Sequence, residues 1–231
     1  MDRQPGSRTG QAAPPAYTIT SYRTSHFKLN DSGDLELRAG VPYDAEGVYR
    51  FRRTLQPQES AVVVMDPFAD LTSDYLNDYV GRIVYSRLVP LVERASRRGH
   101  PVIILTNDPR TVLYGSRIYP ELQALVAEGK AAPWYHRHPD NGAFANYLRS
   151  NGVRSLIYTG FASNLCVIGR EDGIIAMKNQ GFDTYFVPDA SAAMEYADSW
   201  KNQAIHKATT QIISQGFAEI IDYDEFMQAA P

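Results

Sequence analysis

Leu156-Ile157-Tyr158-Thr159-Gly160-Phe161-Ala162-Ser163-Asn164-Leu165-Cys166 is a short apolar run, a glycine and a turn of small residues, and it leads into a helical pattern at the chain's single cysteine. A strand that feeds a helix through such a turn is the repeating unit of a parallel sheet. A sulfur at the junction lies beside backbone N–H groups and the positive end of a helix, which lower a thiol's pKa and stabilise an oxyanion. The competing reading is an inert core residue, since free cysteine usually packs as a small hydrophobe.

The same unit recurs on both sides. Ala61-Val62-Val63-Val64-Met65 is a continuous apolar run ending at Asp66, as expected of a strand buried on both faces. Val80, Val84, Leu88, Leu91 and Ala95 follow at helical spacing; Pro90 either opens a second helix or kinks one, and Gly99 ends the pattern. Val102-Ile103-Ile104-Leu105 is the next strand, followed by a helix around 117–128, a short strand near Trp134–His138 and a helix over 142–151. After the strand 155–159, a helix is predicted from about 164 to 180. A strand at 183–187, a helix over about 198–214, a strand at 218–221 and a short final helix complete the chain. Alternating strands and helices predict an α/β fold with a parallel sheet covered on both faces. Ligands of such sheets gather beyond the carboxyl ends of the strands, where Asp66, His138 and Cys166 all fall.

Residues 1–57 stand apart. The first 16 are rich in Gly, Pro, Gln and Ala and read as a tail. Tyr17–Thr20 and Val48–Phe51 look strand-like, with a turn signal at Asn30-Asp31-Ser32-Gly33, so an ordered extension placed to lie across a partner subunit is expected. The regularly patterned domain is assigned to 58–231.

The chain has 231 residues, 44% of them hydrophobic, and a formal charge of -3, which offers no general attraction to nucleic acid or an anionic membrane. Arg94, Arg97 and Arg98 read as solvated charges compensating a helix end. A lone cysteine permits no intramolecular disulfide, the N-terminus lacks a signal-peptide core, and no apolar run suggests a membrane span. A cytoplasmic protein without nucleic-acid or membrane partners is expected. Neither a phosphate loop, a dinucleotide fingerprint nor a G-x-S-x-G elbow is found, so no cofactor is predicted. His136 and His138 alternate on one strand face, but no third ligand is spaced to join them, and no metal is predicted.

Asp66 has two readings, a carboxylate capping its turn or a general base for the thiol. His138 is a surface histidine or a group that titrates near neutral pH beside the sulfur.

These residues carry a resemblance. Gly160-Phe161-Ala162-Ser163-Asn164-Leu165-Cys166-Val167 closely matches the signature of the isochorismatase-like cysteine hydrolase family, which includes nicotinamidases and carbamoylsarcosine, ureidoacrylate and biuret amidohydrolases. Val62 to Leu71 looks like its aspartate region, and Gly181-Phe182 through Val187-Pro188-Asp189-Ala190 resembles a further segment. The likeness covers about residues 58–225. It implies a three-layer α/β/α fold, a homo-oligomer (dimer or tetramer), and an Asp–Lys–Cys triad whose first and third members are Asp66 and Cys166. It further implies a cis peptide at Phe161–Ala162 and an oxyanion hole from the N–H groups of Ala162 and Cys166. Where the family has its lysine, this chain places His138, with Arg137 and Lys130 as other candidates. The zinc-binding histidines of the nicotinamidase branch have no match after Asp70. Phe68, Leu71, Arg110, Tyr114, Tyr135 and Phe161 are candidates to touch a small-molecule substrate. The resemblance thus implies a metal-independent hydrolase of a C–N bond in a small amide, carbamoyl or imide compound, acting through a thioester. The alternatives are an isochorismatase-type vinyl-ether hydrolase relying on Asp66, and a non-catalytic binding protein that lost the lysine.

Overall fold

The computed structural model describes residues 13–36, 47–71, 73–112, 115–136 and 142–230. Each apolar run of the sequence becomes a strand: β1 (Tyr17–Thr24), β2 (Val48–Leu55), β3 (Ser60–Met65), β4 (Val102–Thr106), β5 (Ala132–Tyr135), β6 (Ser155–Phe161), β7 (Asp183–Ala192) and β8 (Glu219–Ile221). They form one sheet in the order β2-β1-β8-β7-β6-β3-β4-β5. The strands from β8 to β5 are all parallel, and β1 and β2 add an antiparallel pair to the β8 edge.

Alternation along β3 sets the layers, because successive strand residues point to opposite faces. Val62 and Val64 face one core, with Val80, Leu88, Leu91, Leu122 and Phe226. These come from α1 (Asp74–Ile83), α2 (Val89–Arg98), α3 (Pro120–Ala127) and α7 (Tyr223–Gln228) and the turn between the first two. Ala61, Val63 and Met65 face the other core, with Phe144, Leu148, Ile174, Met177 and Ile213. Those belong to α4 (Ala143–Ser150), α5 (Ile174–Asn179) and α6 (Ala204–Gly216). The result is the three-layer α/β/α arrangement with a mostly parallel central sheet. Among the described residues, no helix is long and apolar enough to cross a membrane.

Pro90 resolves as a helix start. Lacking an N–H, it cannot continue the ladder, and a π-helical turn over Val84–Leu88 hands α1 on to α2 with Val89 N–H donating to the Val84 carbonyl. Gly99, at φ 88°, ends α2 in the left-handed region.

Three expectations change. The strand-like pieces of residues 17–57 pair with the chain's own sheet, and Arg53 grips Glu219 of β8 at 2.6 Å. Of the three arginines at the end of α2, Arg98 is not a free surface charge. Its guanidinium lies over the rings of Tyr17 and Phe226 and donates to the Phe226 and Ala229 carbonyls, closing the end of α7; Arg94 reaches Ala229 as well. The helix predicted for 164–180 is two pieces. A π-helical turn (Ser163–Val167) runs to Gly169, and a turn over 170–173 precedes α5. That turn packs so closely on the cysteine segment that a Cβ at Gly173 would lie 2.8 Å from the Val167 carbonyl oxygen and 2.9 Å from that of Cys166.

Candidate active site

The chain order reverses between β3 and β6, which are neighbours in the sheet but lead to strands on opposite sides. Their carboxyl ends open the crevice where a doubly wound sheet binds its ligand, and Asp66 and Cys166 stand there.

Asp66 ends β3 with φ 42°, a conformation rare for residues other than glycine and, among them, commonest for Asp and Asn. Its N–H is held by the Leu105 carbonyl at 2.9 Å, and its carbonyl accepts from Phe68 at 2.8 Å. The residue is 2% exposed. On the neighbouring strand, Gly160 has φ 99°, and a Cβ there would meet the Met65 carbonyl oxygen at 2.2 Å. Only glycine allows the two strand ends to close up. The Phe161–Ala162 peptide is cis, as the resemblance implies. The cysteine turn is pinned from outside by Asn164 Oδ1, which accepts from Met194 N–H at 2.9 Å, and by a 2.9 Å contact between Ser163 Oγ and His206 Nδ1.

A cluster of charge surrounds this pair. His136, just past β5, is reached from β4, whose Thr106 carbonyl accepts its N–H at 3.0 Å. Its ring bridges two carboxylates, with Nε2 2.7 Å from Asp66 Oδ1 and Nδ1 2.7 Å from Asp172 Oδ2. With both ring nitrogens facing carboxylates, the ring donates from both as imidazolium. Burial opposes that charge, but the hydrogen bonds to Asp172 and Asp66 outweigh it and carry the pKa to about 9. Asp172 is itself fixed through its carbonyl, which accepts from the wholly buried Tyr158 hydroxyl at 2.7 Å.

Arg170 stands on the other side of Asp66, with Nε 3.1 Å from Oδ2 and Nη2 3.5 Å from Asn107 Oδ1. The Nε–Oδ2 approach is an ion pair without hydrogen-bond alignment, and both atoms are buried without a hydrogen-bond partner. Burial pushes the Cys166 thiol up, the Asp66 carboxylate adds to that, and Arg170 opposes it. The resting sulfur is therefore a thiol with a carboxylate and a guanidinium beside it.

A cavity of about 130 Å³ has Asp66 and Cys166 in its wall. Phe68, Leu71, Phe161 and Ala162 line it, as do Leu76 and Val80 of α1, Leu165 and Met194.

The structure thus brings Asp66, Cys166, Ala162, Phe68, Leu71 and Phe161 together. Arg110 is elsewhere, with a largely exposed side chain folded onto Asp108 at 2.6 Å. Tyr135 ends β5 and is not on the cavity wall. Lys130 precedes β5, at the opposite end of that strand from the crevice, and pairs with Glu128 at 2.6 Å. His138, Arg137 and Tyr114 lie outside the described residues. The sequence reading missed His136, Arg170 and Asp172 as members of the site. The one signal for the last two was Asp172-Gly173, a turn dipeptide inside a helical pattern. No group of three or more His, Cys, Asp or Glu among the described residues is arranged to hold a metal ion.

The sequence pattern described as the Isochorismatase domain matches residues 60–225. No functionally curated protein matches the chain. Among solved structures, it is similar to a cysteine hydrolase from Pseudomonas syringae pv. phaseolicola (19% identity, 75% of this chain and 93% of that one, TM-score 0.58). It is also similar to a nicotinamidase from Staphylococcus aureus (13% identity, 71% and 97%, TM-score 0.55). A third likeness is to an octameric hydrolase of unknown specificity from Escherichia coli (18% identity, 75% and 79%, TM-score 0.53). At these identities the likeness is one of fold.

Proposed function

The chain belongs to the isochorismatase domain family, and on that premise we propose that it is a cysteine-dependent hydrolase of a C–N bond in a small amide, carbamoyl or imide compound. The observation that carries the reading is the buried Asp66 carboxylate beside the Cys166 thiol in the wall of a largely apolar cavity. A free thiol is only a few per cent ionised at neutral pH, so a positioned base is what a cysteine nucleophile requires.

Asp66 takes the thiol proton as sulfur bonds to the carbonyl carbon, and the N–H groups of Ala162 and Cys166 hold the resulting oxyanion. Asp66 returns the proton to the nitrogen as the C–N bond breaks and the amine leaves. Water then adds to the thioester, giving up a proton to Asp66. When the C–S bond breaks, the acid departs and that proton restores the thiol. The role first given to His138 passes in this proposal to His136, which holds Asp66, together with Arg170.

Cys166→Ala is expected to abolish release of ammonia or amine from any amide, carbamoyl or imide compound that the wild type hydrolyses; retained turnover would exclude the covalent route. A vinyl-ether hydrolase is the second reading, because Asp66 could supply its acid–base chemistry without the sulfur. It predicts Asp66→Asn inactive, as the covalent route does, but Cys166→Ala active. A non-catalytic binding protein predicts a Cys166 that resists mild alkylation near neutral pH.

A homo-oligomer is part of the proposal. Leu165 and Met194, which line the cavity and are 55% and 38% exposed, leave apolar surface there for a second copy to cover. Light scattering should give a multiple of 25.8 kDa; a monomer at working concentration would reject this part.

A further inference from the structure

The two oxygens of Asp66 are not equivalent. Oδ1 is occupied by His136 at 2.7 Å, and the far side of that imidazole is held by Asp172 at the same distance. Oδ2 is buried, has no hydrogen-bond partner, and faces Arg170 Nε, a donor likewise buried and unpartnered, across 3.1 Å. Buried polar atoms normally find partners, so two orphans side by side mark a place where a further polar atom belongs. Cys166 is the neighbour of both. Asn107 Oδ1, at 3.5 Å from Nη2, keeps the guanidinium turned toward this place, and the Arg170 backbone N–H donates to the Cys166 carbonyl at 3.2 Å.

With Asp66 as the acceptor of the Cys166 proton, as above, we propose that Arg170 is the catalytic cation facing the thiolate, and that His136, clamped by Asp172, is the positioning residue that occupies Oδ1 and so reserves Oδ2 for this transfer. The inference rests on Cys166 being the nucleophile. In the step, the S–H bond breaks, an O–H bond forms at Oδ2, and one negative charge moves from carboxylate to sulfur. Arg170 faces both ends of that movement, so the cation need not travel. Arginine cannot release a proton at working pH; its part is electrostatic, and the proton stays with Asp66. A preorganised charge in a site screened from water acts far more strongly than one in solvent.

Cys166 is the only cysteine, so its alkylation by iodoacetamide can be followed by mass from pH 6 up to about 11 in the 231-residue chain. Removing the cation should raise the apparent midpoint for Arg170→Gln by about one unit or more and slow the reaction at pH 7 about tenfold. Arg170→Lys should stay within about threefold of wild type, since the charge is kept. His136→Ala should lose rate and change the pH profile, and His136→Gln, whose amide can still donate to Oδ1, should recover most of both. Arg170→Gln with the wild-type midpoint and rate overturns the catalytic cation. His136→Ala with the wild-type profile overturns the positioning role. If Arg170→Gln does not fold by circular dichroism, Arg170→Lys decides, and a tenfold loss there counts against the proposal. A wild-type thiol no more reactive than a simple buried one overturns the nucleophile and this inference with it; an Arg170→Gln profile unchanged beside a reactive wild type overturns this inference alone.

Discussion

Gly160 is where a single atom decides the site. Its φ of 99° and a missing Cβ that would lie 2.2 Å from the Met65 carbonyl oxygen let β6 close on β3. The clash is with backbone in the middle of the sheet, which has no rotamer to yield. Gly160→Ala should cost more than about 3 kcal/mol, combining left-handed strain with overpacking. That corresponds to a melting temperature lower by about 6 °C or more in a chain of this size, checked by calorimetry. A variant that melts with the wild type would mean the strand ends can separate freely. The glycine is plain in the sequence, but the atom it avoids is on another strand.

At the scale of elements, β1 is tied to the α/β core by a histidine that the reading of the sequence passed over. Buried His100 donates from Nδ1 to the Ser60 carbonyl at 2.6 Å and accepts from the Tyr17 hydroxyl at 2.9 Å. Burial holds its pKa down to about 4, so the ring is neutral. Tyr17→Phe keeps the shape and removes the donor, leaving Nε2 unsatisfied. The expected cost is about 1–3 kcal/mol, seen as an earlier unfolding midpoint in urea. An unchanged midpoint would show that β1 is held by its strand pairing alone. Element existence was legible because apolar period and turn residues are local properties. The break at 170–173 was not, because the helical spacing of Val167/Ile174 and Ile168/Ile175 continues across it. What stops the helix is the fit of Gly173 against the cysteine turn, together with Tyr158 holding the Asp172 carbonyl.

For the whole molecule, the two histidines bound stability from opposite sides. His100 has a folded pKa near 4, below its ordinary 6.5, so its contribution is present above about 6.5 and is lost as the pH falls toward 4. His136 has a folded pKa of about 9, above 6.5, so its contribution is complete below 6.5 and is lost as the pH rises through about 9. The melting temperature should therefore decline on both sides of neutral pH. His136→Gln, which cannot titrate, should flatten the alkaline decline and leave the acid one. An alkaline decline unchanged in that variant would mean that the imidazolium between Asp66 and Asp172 does not contribute to stability.

The sequence by itself determined the parallel α/β sheet, the strand-end positions of Asp66 and Cys166, and the glycine turn between strand and sulfur. These follow from periodicity and turn chemistry, which act over a few residues. Only the tertiary structure decided what surrounds the sulfur. His136 lies 70 residues from Asp66 and meets it because the sheet order seats β5 two strands from β3, so that the ring reaches across the end of β4. Arg170 and Asp172 face the crevice because a predicted helix yields to close packing. Both outcomes depend on which strands are neighbours and on how near two backbones come, and no local pattern encodes either.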